Sequence, residues 1–148
     1  MLRCRLLRAC VALLPVAVLA AACTGDRCDP SFGNGGCFDL SLPSYSTLLD
    51  AGSALLIERD ASGHEVGHRG IFVRREVSTF VAFDASCPKD HDVQLRAEDR
   101  DGIVLTCPAC SSRFETVYGQ PLEGSSTGCS LYQYTTHYDG GYLLEIYF

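Results

Sequence analysis

Apolar residues in the second half of the chain fall into short runs separated by turn-forming residues. The runs are "ALLIERD" (54–60), "GIFVRRE" (70–76), "TFVAFD" (79–84), "VQLRAED" (93–99), "GIVLTC" (102–107), "RFETVY" (113–118), "LYQYTTHYD" (131–139) and "YLLEIYF" (142–148). Each is short, rich in β-branched and aromatic residues, and bounded by Gly, Asp or Ser, which predicts strands. "LYQYTTHY" alternates well enough for a strand with one face in water. "DASG" precedes one hairpin, and "DRDG" and "DGG" close two others, with Gly available where φ must be positive. The one helical signal is a single turn in "PSYSTLLDAG", closed by Gly52. An all-β domain of short antiparallel strands follows.

Composition agrees. At 148 residues the chain suits one domain, and 47% hydrophobic with 20% charged residues is a globular balance. Gly and Tyr are plentiful and Trp is absent, which fits a turn-rich β protein.

The N-terminus reads as a signal rather than as part of the fold. Arg3, Arg5 and Arg8 precede the apolar stretch "ACVALLPVAVLAAAC", which is too short to span a bilayer stably. Residues 1–22 are expected to be a secretory signal. Its end, "LAAAC", resembles the lipobox of bacterial lipoproteins, with Cys23 as the acylated residue. The expected location is the periplasmic side of the cell envelope, on the outer membrane. Residues 23–37 are expected to be a lipid-anchored tether and residues 38–148 the β domain. Removing residues 1–22 takes away three Arg and no acid, leaving nine basic residues against eighteen acidic ones, a charge of −9. No basic cluster offsets it, so nucleic-acid binding is excluded.

Nine cysteines are present, and six remain once Cys4 and Cys10 leave and Cys23 is acylated. Cys28 and Cys37 bound a Gly-rich loop, for which a disulfide is the simplest use in an oxidising compartment. Cys87 and Cys107 each follow a strand, and Cys107 opens a C-x-x-C with Cys110. Two cysteine-bearing loops at one end of a sheet form a recurrent metal grip.

The residues around these cysteines resemble the Rieske [2Fe–2S] iron–sulfur domain. "VAFDASCPK" is similar to the run into that family's first ligand loop, and "CPACSSRFE" to its second, with Ser112, Phe114 and Glu115 in register. "TVYGQPLEGS" resembles the turn that follows. The resemblance covers Gly67 to Phe148. It implies an antiparallel β-sandwich carrying a small metal-loop subdomain of rubredoxin- or zinc-ribbon-like form, near residues 85–125. It places Cys87 and Cys107 on the two cysteine ligand positions. The two histidine positions carry Lys89 and Cys110, the loop-to-loop disulfide positions carry Asp92 and Ala109, and the covering proline falls at Ser125.

The candidate ligands are therefore Cys87, Cys107 and Cys110, with His91 or Cys129 as the fourth. A [2Fe–2S] cluster held this way is expected to have a potential below the Rieske range of roughly −150 to +300 mV. Zinc suits the same ligands, and two disulfides among Cys87, Cys107, Cys110 and Cys129 are the metal-free alternative. Arg3, Arg5 and Arg8 include no adjacent pair, which suggests export unfolded and argues against a preloaded cluster.

Three functions are weighed, and the first, built on the Rieske-like [2Fe–2S] site, is the one expected. The first is a membrane-anchored electron-transfer module with a redox partner protein. The second is a structural or binding lipoprotein stapled by zinc or disulfides. The third is a thiol–disulfide redox protein using Cys107 and Cys110, although "SSRFE" leads into a strand and not the helix that lowers a redox thiol's pKa. His64 and His68 read as loop residues and His137 as a face-packing or surface residue. No Ser/His/Asp order, paired carboxylates or phosphate loop marks an independent enzyme or its small-molecule substrate.

Overall fold

The structure is a computed structural model and describes Cys28 and residues 33–148. The signal sequence, Cys23 and most of the expected tether lie outside the described residues.

Among the described residues, nine strands form two antiparallel sheets. They are β1 (Gly36–Asp39), β2 (Ala54–Ile57), β3 (Ile71–Arg75), β4 (Phe80–Asp84), β5 (Arg96–Ala97), β6 (Val104–Thr106), β7 (Arg113–Glu115), β8 (Gln133–Tyr138) and β9 (Leu143–Tyr147). The larger sheet runs β1-β9-β8-β4-β3-β2 and the smaller β5-β6-β7. A single 3-10 turn, Ser46–Leu49, is the only helical element among the described residues. Among them, no helix is long and apolar enough to cross a membrane.

The sequence pattern explains the layers. β3 and β4 read "IFV" and "FVAF" without alternation because both their faces are buried. Ile71, Val73, Phe80 and Ala82 join one core with Phe38, Leu40, Leu48, Leu144 and Ile146. Phe72 and Phe83 face the other way, into a second core with Leu95, Leu105, Phe114, Leu131 and the sulfur-bearing Cys87 and Cys107. That second core is the contact between the two sheets. β8 alternates as its sequence predicts: Tyr134 is buried, while Gln133, Thr135 and His137 are exposed. The "DASG", "DRDG" and "DGG" turns each place a Gly at positive φ: Gly63 at 85°, Gly102 at 58° and Gly140 at 81°. Gly102 has a second reason, since a Cβ there would sit 2.2 Å from the Phe72 ring.

The expected tether differs in its last residues. Gly36–Asp39 is an edge strand paired with β9, from Gly36↔Ile146 to Asp39↔Leu143. Phe38 supplies the driving force, because its ring is fully buried. Ahead of it, Gly33 and Asn34 are docked and not loose. Gly67 donates its N–H to the Asn34 carbonyl at 2.8 Å. Gly33 donates to the Asp84 carboxylate at 3.3 Å.

Asp84 is the hub of this end. Only 1% exposed, it also accepts the His68 N–H at 2.7 Å, the Tyr134 hydroxyl at 2.7 Å and the Ser86 N–H at 2.9 Å. Burial, then the hydrogen bond to Asp84, raises the Tyr134 hydroxyl well above its ordinary range.

The small sheet has little core of its own and is braced across its face by an ion pair. Arg113 grips Glu98 with two bonds, Nε to Oε1 and Nη2 to Oε2, each 2.7 Å. Arg113, and next the Thr106 hydroxyl, pull the Glu98 carboxyl down to about 2. A carboxyl whose folded pKa lies below its unfolded one stabilises above the unfolded value and loses that contribution as pH falls. Wild type is therefore expected to be more stable than Glu98→Gln at pH 6, the difference shrinking from about pH 4.5 towards pH 2. Urea titrations across that window measure it, and a pH-independent difference would contradict the pairing.

Candidate metal centre

Cys87 and Cys107 sit where strands end, and Cys110 lies in the loop that follows β6. β4 runs out into Ser86 and Cys87, and the chain returns at Gln94, which bridges back to Ser86. Between them the loop folds tightly: Cys87 donates its N–H to the Val93 carbonyl at 2.9 Å and Val93 to the Asp90 carbonyl at 2.7 Å. β6 ends at Thr106, and the second loop is closed by bonds of 2.9 Å from the Cys107 N–H to Ser112 and from the Ser111 N–H to Cys107. Ser111 has φ 58°, the only non-glycine at positive φ among the described residues. Backbone strain of this kind, on the order of 1 kcal/mol or more, gathers at sites that need a fixed geometry.

The loops bring Cys87, Asp90, Cys107 and Cys110 together, with one ligand atom of each within 4.8 Å of all the others. Cys87 Sγ lies 3.7 Å from Cys110 Sγ, and Cys107 Sγ lies 3.9 Å from Asp90 Oδ2. Cys87 and Cys107 are fully buried, while Pro108, Ala109 and Lys89 form an exposed rim. A third loop, after Gly119, covers one side. Its Ser126 bonds Ser112 Oγ at 2.9 Å, and Ser112 Oγ lies 3.2 Å from Cys110 Sγ.

The thiols are not equivalent. Burial pushes Cys87 up to about 12, against N–H bonds from Asp90 and Lys89. Partial burial also acts to raise Cys110, but hydrogen bonds from Ser112, Ser126 and Cys107 outweigh it and hold that thiol below its ordinary value.

Several expectations change here. Cys28 is bonded to Cys129, with the two Cα atoms 5.4 Å apart, and not to Cys37. Cys37 is exposed on β1, because the strand's alternation turns Phe38 inward and its neighbours outward. Cys129 has no free thiol and is not a ligand. The fourth ligand atom in the group comes from Asp90, not from His91. Lys89 points along the rim and donates its Nζ to the Ser126 carbonyl at 3.2 Å. His64 instead faces Asp60 at 3.2 Å, and His68 faces Asp92 at 3.6 Å. Asp90 had a legible signal in the sequence: it stands three residues after Cys87, as Cys110 does after Cys107.

Taken together, fold and site define an all-β domain of two antiparallel sheets with a thiol-rich tip. No family model matches the chain, and no curated protein matches it. Among solved structures, it is similar to the ferredoxin of carbazole 1,9a-dioxygenase from Nocardioides aromaticivorans IC177. There the identity is 14%, the TM-score 0.43, and coverage 79% of this chain and 97% of that one. It is also similar to a chain in the complex of reduced oxygenase and oxidized ferredoxin in carbazole 1,9a-dioxygenase. That match has 15% identity, a TM-score of 0.41, and covers 80% of this chain and 94% of the other. Neither superposition is close enough to carry a function across.

The [2Fe–2S] cluster that the sequence resemblance implies can be tested against the ligand set. Such a cluster holds one ligand pair on each iron, with bridging sulfides between the irons. The pairs must stand apart by the width of the cluster. Four ligand atoms mutually within 4.8 Å enclose one ion and leave no room for two irons and their sulfides. The residues as placed do not fit the cluster.

Proposed function

We propose that this chain is a membrane-tethered, metal-holding domain of the bacterial cell envelope, presenting its tip to a partner protein and performing no catalysis of its own. One observation carries the reading: three thiols and a carboxylate from two loops converge on a point. Unpaired thiols at that spacing, two buried and one half-buried, in a disulfide-bearing protein have an evident use as metal ligands. The lipobox-like "LAAAC" supports the tether through Cys23, and the docking of residues 33–39 leaves only a short reach between anchor and domain. Electron transfer with a redox partner protein is the second reading; the sequence resemblance supports it, and the spacing of the ligand atoms counts against the two-iron cluster it would need.

Protein purified from envelopes is expected to carry tightly bound metal. Cys87, Cys107 and Cys110 should resist a thiol reagent until a chelator is added. A metal-free protein with these three cysteines already oxidised would overturn the proposal. Cys23→Ser is expected to be recovered without detergent; retention in the membrane fraction would remove the anchor from it.

A further inference from the structure

The two ligand loops are built on one pattern. The first reads Cys87-Pro88-Lys89-Asp90 and the second Cys107-Pro108-Ala109-Cys110. In each, a cysteine at the end of a strand is followed by proline, and the residue three positions on returns its ligand atom to the same point. In each, the N–H of that last residue also approaches the first sulfur. Cys110 N lies 3.5 Å from Cys107 Sγ, and the N–H groups of Asp90 and Lys89 bond to Cys87 Sγ. The repeat pairs an aspartate in one loop with a cysteine in the other.

We propose that the site takes one tetrahedral zinc ion, with Cys87, Asp90, Cys107 and Cys110 as its four ligands. This rests on the metal-holding reading above and names its ion and its fourth ligand. Metal–sulfur bonds of about 2.3 Å give a tetrahedron with sulfur–sulfur edges of about 3.8 Å, and sulfur–oxygen edges slightly shorter. The Cys87–Cys110 separation of 3.7 Å and the Cys107–Asp90 separation of 3.9 Å lie close to those edges. Four protein ligands leave no open position, which is the form of a structural site.

Binding replaces the proton on each of three thiols. Three thiolates and a carboxylate around Zn²⁺ then carry a net charge of 2−. The N–H groups aimed at Cys87 and Cys107 are placed to donate to those sulfurs, and the Ser112 hydroxyl, which accepts from the Cys110 thiol at 3.2 Å, turns to donate once that proton is displaced. Ser126 fixes Ser112 in turn, through its own N–H at 3.0 Å. Divalent zinc outcompetes ferrous iron for such ligands, since iron stands lower in the affinity order.

Metal analysis of the purified full chain is expected to find one zinc per chain. Cobalt(II) exchange should give the intense bands of a tetrahedral thiolate site. Asp90→Ala should weaken zinc in chelator competition by more than about 100-fold, and His91→Ala by less than about threefold. Asp90→Cys, which rebuilds the second loop's pattern in the first, should keep one zinc and shows that the loop still folds. Two irons with two inorganic sulfides would overturn the inference while leaving the metal-holding reading intact. One iron with the same Asp90 dependence would overturn the assignment to zinc. Equal losses from Asp90→Ala and His91→Ala would remove Asp90 from the ligand set. A chain without metal would overturn both this inference and the reading beneath it.

Discussion

Asp84→Ala is expected to lower the unfolding free energy by about 3–5 kcal/mol, because it strands several donors at once. The buried Ser86 N–H loses its acceptor, the His68 N–H loses its 2.7 Å bond, and the buried Tyr134 hydroxyl keeps only its longer 3.2 Å bond to the Gly33 carbonyl. A buried donor left without a partner costs about 1–3 kcal/mol. Tyr134→Phe removes one donor and leaves the carboxylate with the rest, so about 1–2 kcal/mol is expected there. Urea denaturation of the two variants beside wild type gives both numbers. A loss from Asp84→Ala no greater than that from Tyr134→Phe would show that water replaces the carboxylate. The hub would then be ornamental to stability.

Replacing both Cys28 and Cys129 by Ala is expected to cost about 4 kcal/mol and more than about 10 °C in Tm. The bridge closes a sequence separation of 101 residues, and loop-closure entropy for about 100 residues amounts to about 4.7 kcal/mol. Calorimetry of the double variant checks this. A shift below about 3 °C would mean that the docked segment at Gly33–Asp39 already confines the N-terminal end without the bridge.

The strands were legible where composition and pattern agreed. Seven of the expected runs shrink at their ends, and "VQLRAED" keeps only Arg96 and Ala97 as a strand. Pairing across three short strands, not propensity, sets those limits. β1 was hidden because "GCFD" follows a Gly-rich loop and offers one apolar residue, Phe38, whose burial depends on β9 arriving from the other end of the chain. The Cys28–Cys129 bridge was hidden for the same reason: adjacency in space across 101 residues leaves no mark in spacing. The site was readable as far as its three thiols. Asp90 was passed over because a carboxylate near a cysteine is common, and only the loop closed between Ser86 and Gln94 turns it inward.

One chain thus carries both a disulfide and three unpaired site thiols, and the proposed metal site then implies an order of events in maturation. The oxidant that joins Cys28 to Cys129 meets Cys87 and Cys110 with their sulfurs 3.7 Å apart. Thiolate attack on a mixed disulfide at either of them would seal the empty site. A bound ion occupies the sulfur lone pairs that such an attack requires. On the proposed reading of an exported, metal-holding chain, metal must arrive before the oxidant has acted throughout it, and the yield of loaded protein depends on which of the two reaches the polypeptide first.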